Sequence, residues 1–266
     1  MSGAGVGFDL IGNVAIIKLS KSTSASTIKK SAYAIMKSNP NIKGVFEKVG
    51  RTEGERRISK IVWIAGEKEH VVLHKENGCA FYVDIKKVFF TPRLSSERLR
   101  ITKLVKPNET VLDMFCGIGP YSIQIAKKAN KVYAIDINPY AITYLKKNIL
   151  LNKTNNIIVF KGDSKRVVER LSTKFDRIIM NFPVASYSFL DPALKVAGER
   201  CVIHLYTFIN VKEGYLDAVK TAKKEIIQHI PKGIVSTKIN HKRAGEVAPY
   251  IVRECFDIYL RNKKAG

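Results

Sequence analysis

The sequence predicts an α/β protein: a doubly wound seven-stranded sheet with helices on both faces, preceded by a small α+β domain. Three observations carry this reading. After residue 100, strand-like apolar runs alternate regularly with helical stretches. One of those strands, entering Val111 to Pro120, runs into a glycine turn that opens a helix. The chain also closes with a long helix followed by two strands.

The first part, residues 1–90, is expected to be the small α+β domain. Short β-rich runs occur at Val14–Leu19, Ile61–Ile64, Val71–Leu73 and Ala80–Ile85. One helix, Ala25–Lys37, interrupts them and ends at Asn39-Pro40, because the residue before a proline is pushed out of helical geometry. Residues 91–266 are expected to form the large domain. Its predicted strands are Thr110–Met114, Lys131–Ile135, Ile157–Lys161, Arg177–Met180, Arg200–Tyr206, Ile234–Ile239 and Val252–Leu260. Its predicted helices are Tyr121–Lys128, Ala141–Leu151, Ser164–Leu171, Phe189–Val196 and Glu213–His229. The last carries Leu216, Val219, Ile226 and Ile230 at helical spacing, the pattern of a core face.

Lys and Arg total 46 against 23 Asp and Glu, a net charge of +23. An excess of that size suits a phosphate backbone, whose neutralisation releases counterions. Four cysteines, Cys79, Cys116, Cys201 and Cys255, form no CxxC pair, so neither a zinc site nor a disulfide framework is expected. A reducing cytoplasm fits. No apolar run is long enough to span a bilayer, and residues Met1 to Gly12 do not read as a signal peptide.

Ligands of open α/β sheets bind at the carboxyl ends of strands. Three such ends carry an acid: Asp113 before the turn Gly117-Ile118-Gly119, Asp136 seventeen residues after Gly119, and Asp163. Asp136 can accept hydrogen bonds from both hydroxyls of a ribose; Asp163 can receive an adenine amino group or cap the helix that follows. Position 122 is Ser, so the full GxGxxG dinucleotide fingerprint is absent. The ordered acids and the glycine turn resemble the S-adenosylmethionine site of Rossmann-like class I methyltransferases, with Asp113 toward the methionine part.

The fourth strand of the sheet ends Met180-Asn181-Phe182-Pro183. An Asn side chain offers a donor and an acceptor together, which suits a nucleobase edge. Pro183 fixes the backbone and donates nothing. The motif is similar to the (D/N)PPY of amino-group methyltransferases, but Val184 replaces the aromatic residue and argues against an exocyclic amine. The linker Val88-Phe89-Phe90-Thr91-Pro92-Arg93-Leu94-Ser95-Ser96-Glu97-Arg98-Leu99-Arg100-Ile101 precedes the cofactor strand. It reads as a helix capped by Ser95 or Ser96, with an acidic first turn and an exposed basic face.

That linker, the Asp-Met-Phe-Cys-Gly-Ile-Gly-Pro turn and Asn181-Phe182-Pro183 together resemble the archaeal and eukaryotic tRNA (guanine-37-N1) methyltransferase family. The likeness extends to Gly54-Glu55-Arg56-Arg57 and to His74-Lys75-Glu76-Asn77-Gly78-Cys79, and begins at about Gly7. The extra N-terminal domain of many members is expected to be missing. The resemblance implies S-adenosylmethionine as cofactor, held by Arg93, Asp113, Phe115, Gly117, Gly119, Asp136, Ile137, Asp163 and Asn181, with no metal. It implies a tRNA anticodon stem-loop as partner and a monomeric enzyme. N1 of guanine carries a proton, so a base must remove it during transfer. By resemblance Glu97 is that base, Arg57 faces the charge growing on O6, and Asn181 and Pro183 hold the extruded base. Many members have Tyr where this chain has Phe89. A bifunctional archaeal branch with Phe there also methylates carbon 7 of 4-demethylwyosine (imG-14), giving isowyosine (imG2).

Two other readings compete. A sister family transfers the aminocarboxypropyl arm of the same cofactor in wyosine synthesis, but lacks the linker and Asn-Phe-Pro pair found here. A non-catalytic RNA-binding protein would keep the charge but has no need of the acid series. A pyrimidine-C5 methyltransferase is disfavoured, because no Cys lies between Cys116 and Cys201.

Overall fold

The computed structural model describes residues 7–19, 22–54 and 58–262. Its large sheet is built from β7 (Thr110–Asp113), β8 (Lys131–Asp136), β9 (Ile157–Lys161), β10 (Phe175–Met180), β11 (Ala197–Asn210), β12 (Ile234–Ala248) and β13 (Ile251–Asn262). Their order is β12-β13-β11-β10-β7-β8-β9. The strands from β11 to β9 pair in parallel, and β13 and β12 add antiparallel at one edge. The chain order reverses between β7 and β10, the switch point where such sheets open a crevice.

Both sheet faces are covered, and the strands show it by alternation. Leu112, Ile178, Ile203 and Leu205 face α5 (Ser164–Val168), α6 (Leu190–Val196) and α7 (Tyr215–His229) in one core cluster. Val111, Ile179 and Tyr206 face the other way, onto Ile101 of α2 (Ser95–Leu104) and Ile125 of α3 (Ser122–Ala126). Each such fully buried side chain contributes roughly 1.5–3 kcal/mol of transfer free energy. Along α7 the core face is Val219, Ala222 and Ile226; Leu216 is 76% exposed, contrary to expectation. It lies in the first turn of the helix, too near the end to be covered.

The N-terminal part holds a sheet of order β1-β2-β3-β4, formed by Phe8–Ile11, Val14–Ile17, Gly44–Glu53 and Ile58–Gly66. Helix α1 (Ala25–Ser38) links the parallel pair β2 and β3, capped by Ser24, whose side chain accepts from the Thr27 amide. Strand β3 was not anticipated, since Glu47, Lys48 and Glu53 break its apolar pattern. A hairpin follows, β5 (Val71–Glu76) and β6 (Cys79–Asp84).

That hairpin is fastened to α4 (Pro139–Leu151) of the large sheet by two asparagines four residues apart. Asn148 accepts from the Tyr82 amide at 2.7 Å and donates to the Tyr82 carbonyl at 3.2 Å. Asn152, just past the helix end, does the same for Ala80 at 2.9 and 2.6 Å. A helical repeat of four thus meets a strand repeat of two, and the carboxamides satisfy an edge that would otherwise be unpaired. At the tip, Asn77 donates to the Ser95 carbonyl and to Gln124, tying the hairpin to α2 and α3.

Helix α2 departs from expectation at both ends of the argument. Neither Ser95 nor Ser96 caps it; a short 3-10 turn, Pro92–Leu94, leads into it instead. Its arginines do not form an exposed basic face. Arg98 is 1% exposed, and Arg100 is largely covered by Glu97 and Asp257.

Candidate functional site

A cavity of about 440 Å³ opens at the switch point between the ends of β7 and β10. The linker residues Phe89, Phe90, Thr91 and Leu94 close its other side. Phe115, Gly117, Asp136, Ile137, Asp163, Asn181 and Pro183 all line it, as expected for strand-end residues. Gly117 adopts φ +55, and only the Phe89 carbonyl, 4.0 Å away, approaches the position a Cβ would occupy. The backbone there is open for a ligand to approach.

Asp136 ends β8 and accepts from the backbone amides of Gly117 and Asn138, both at 2.8 Å. Burial raises its pKa against those two bonds. Asp163 caps α5 through the Arg166 amide at 3.2 Å while still lining the cavity. The helix-capping reading of Asp163 is thus met, and the residue remains at the cavity wall. Asn181 lines the cavity, and its side-chain oxygen is buried without a hydrogen-bond partner. Phe182 stacks on Phe115 at 5.0 Å, and Phe189 meets both edge-on, making an apolar wall of three rings.

Four sequence-predicted residues sit elsewhere. Asp113 is fully buried just beneath the cavity; Ser122 donates to it at 2.6 Å and its second oxygen has no partner. Burial, with a push from Asp136, raises its pKa to about 7. Gly119 does not line the cavity. Its φ is +91, and a Cβ there would lie 2.5 Å from Leu145 Cδ1, so this glycine serves close helix packing. Arg93 donates to Asp9 at 2.5 Å and lines an adjoining cavity of about 290 Å³. Glu97 lies behind the cavity wall: Arg100 donates to it at 2.7 and 2.8 Å, and Tyr206 at 2.7 Å. Arg57 lies outside the described residues.

Other cavity residues carried no signal that the sequence reading used. Arg98 lines the cavity while donating to both oxygens of Glu76 at 2.5 Å and to the Thr91 carbonyl. Its charge also lies 5.3 Å from the Phe90 ring centre. Tyr121 follows directly on the glycine turn, and Arg253 comes from β13, far along the chain. Alternation along β13 could have placed Arg253 on a buried face, though not at this cavity.

The residues present fit a nucleoside carrying positive charge. Asp136 and Asp163 offer acceptors to hydroxyl and amino groups, two buried oxygens lack partners, and no salt bridge among the described residues involves Asp113, Asp136 or Asp163.

A family model described as the TRM5/TYW2 methyltransferase domain matches residues 72–230. The chain is 44% identical over 201 residues to the tRNA (guanine(37)-N(1))-methyltransferase Trm5b of Pyrococcus abyssi, covering 76% of this chain and 59% of that protein. It thus spans under two thirds of that relative's length. It is 33% identical over 208 residues to the tRNA 4-demethylwyosine(37)-methyltransferase Taw21 of Saccharolobus solfataricus, covering 77% and 79%. The crystal structure of Trm5b from Pyrococcus abyssi superposes with a TM-score of 0.84 at 36% identity, over 97% of this chain and 76% of that one.

Proposed function

The chain belongs to the TRM5/TYW2 methyltransferase family, and from that premise we propose that it methylates N1 of guanine 37 in tRNA, using S-adenosylmethionine. The observation that carries the reading is that three strand-end residues, Asp136, Asp163 and Asn181, line one cavity. When bound, the cofactor supplies a methyl group on a sulfonium. Asp136 holds the ribose, Asp163 the adenine edge, and the Phe115–Phe182–Phe189 wall covers the ring faces. Asn181 and Pro183 present donor and acceptor groups to the extruded base. Glu97 is the final acceptor of the N1 proton, and Arg57 is assigned to the charge that grows on O6.

In this reading residues 1–90 contribute to tRNA and target-base binding, and 91–266 form the cofactor-binding methyltransferase domain. The charge of +23 supports an anticodon stem-loop as partner. We take the working form to be a cytoplasmic monomer; four cysteines that are free and buried are in keeping with a reducing compartment. Sedimentation of the protein alone checks the monomer.

The test is nucleoside mass spectrometry of tRNA incubated with the protein and labelled cofactor. One labelled methyl in 1-methylguanosine at position 37 is the expected product. An aminocarboxypropyl gain, or RNA binding without any transfer, would overturn the assignment.

A second activity has one observation in its favour. Phe89 puts an unsubstituted ring on the wall shared by the two cavities, and the Taw21 relative acts on 4-demethylwyosine by name. Transfer tRNA carrying imG-14 would gain a methyl at carbon 7 if the larger base is accepted.

A further inference from the structure

We propose that Tyr121 and Tyr206 form a proton relay from the cavity to Glu97. The proposal rests on the reading above, in which a protonated ring nitrogen is methylated.

The geometry poses the problem first. Glu97 is 7% exposed and is not among the side chains that line the cavity, so a base bound there does not meet it directly. Tyr121 does line the cavity. Its hydroxyl donates to the Tyr206 hydroxyl at 3.0 Å, and Tyr206 donates to Glu97 Oε1 at 2.7 Å. Both donors therefore run in one direction, from the cavity to the carboxylate. The oxygen of Tyr121 keeps acceptor capacity for a proton arriving from the cavity side. Ile101, Val111, Ile125 and Ile179 surround the pair in a dry cluster, which keeps the two hydrogen bonds free from exchange with water.

The proton account closes. As the base nitrogen forms its bond to the methyl carbon, the carbon–sulfur bond breaks and its electron pair stays on sulfur. The N1 proton passes to the Tyr121 oxygen, the Tyr121 proton to Tyr206, and the Tyr206 proton to Glu97 Oε1. Both tyrosines end unchanged, and Glu97 ends neutral. Burial pushes both phenols above their ordinary range, so neither rests ionised.

The surroundings of Glu97 accommodate its change of charge. Arg100 faces it from α2, Tyr121 from the turn before α3, Tyr206 from β11 and Cys255 from β13, with Asp257 on the far side of Arg100. Arg100 also donates to both oxygens of Asp257, at 2.6 and 3.2 Å. When Glu97 takes the proton, Asp257 remains as counter-ion, and Arg100 is not left buried and unpaired.

The test is single-turnover methyl transfer to tRNA bearing guanine 37, run in mixtures of light and heavy water. Tyr206→Phe and Tyr121→Phe are each expected to slow transfer roughly 100-fold or more, the usual contribution of acid–base groups. Affinity for cofactor and for tRNA should hold. The double variant should be no slower than the slower single one, because one broken link already interrupts the path. The rate of the unmodified protein should bow downward with deuterium fraction, as several protons move together, and should become linear in Tyr206→Phe. Transfer at the normal rate in either variant, losses that multiply, or a bow that survives in Tyr206→Phe would each overturn the relay. The unmodified protein supplies the check that needs no variant: a linear dependence there overturns the relay alone. No methyl on guanine at all overturns the proposed function instead.

Discussion

Two groups of buried carboxylates share this chain, and only one of them is matched by arginines. Asp113 and Asp136 stand at the strand ends around the cavity, where burial raises both pKa values, Asp113 to about 7. The second group lies behind α2. Burial alone would raise Glu76 and Asp257 too, but hydrogen bonds from His74 and Arg98 hold Glu76 low, and bonds from His204 and Arg100 hold Asp257 well below its usual range. Glu109 pairs with Arg177 at 2.7 Å in the same region. All are carboxylates that burial pushes upward; what separates the groups is the opposite charge. One group is complete within the chain. The other has neutral donors from the backbone and Ser122 but no positive charge, which a bound cofactor brings.

The completed group also explains a near-coincidence. His204, Cys255 and Asp257 lie close enough together to hold a metal ion. Arg177 donates to His204 Nε2 at 2.6 Å and Arg100 donates to Asp257 at 2.6 Å. Two guanidiniums thus supply the positive charge there. Burial lowers the His204 pKa, and the neutral ring accepts from Arg177 while donating to Asp257.

Changes on the two sides should behave oppositely. The largest effect is expected from Asp257→Asn, which leaves Arg100 and His204 without their shared carboxylate. It should cost roughly 3 kcal/mol of folding stability, read by urea denaturation. Asp136→Asn should barely alter stability yet weaken cofactor binding about tenfold or more, read by calorimetry, since hydrogen bonds to a charged group contribute about 1.5–3 kcal/mol. A large stability loss there would erase the contrast between the groups. The smallest effect concerns pH. The folded pKa of Asp113 lies above its unfolded value of 3.8, so the folded state binds the extra proton. Its contribution to stability is therefore full below about pH 4 and lost as pH rises through about 7. Asp113→Asn should flatten that decline in the difference between the two proteins' stability curves.

Much of the architecture was legible because its signals are local. Alternating apolar runs marked the seven strands of the large sheet, and β7, β9 and β10 start or end within a residue of the predicted places. The ends of β11, β12 and β13 were set short: β12 continues through polar residues paired with β13, and β11 runs on through Thr207, Phe208 and Ile209 along its ladder with β13. Strand β3 escaped for a related reason: charged residues interrupt it, and its partners β2 and β4 supply the ladder. At the cavity, Asp136, Asp163 and Asn181 were legible because each terminates a strand. Gly119 shared the same motif but is occupied by packing against Leu145, a contact across 26 positions that no turn pattern reveals.

The sequence by itself determined the α/β alternation, the position of the cofactor turn and the order of the strand-end acids, since each depends on neighbours within a few residues. Tertiary structure alone decided which charges meet. That Arg98 and Arg100 turn inward, that Asp257 on the last strand joins Glu97 on the linker helix, and that two tyrosines 85 positions apart bring their hydroxyls within 3.0 Å all depend on long-range packing. A buried charge is tolerable only beside its partner, and partners are chosen by the fold.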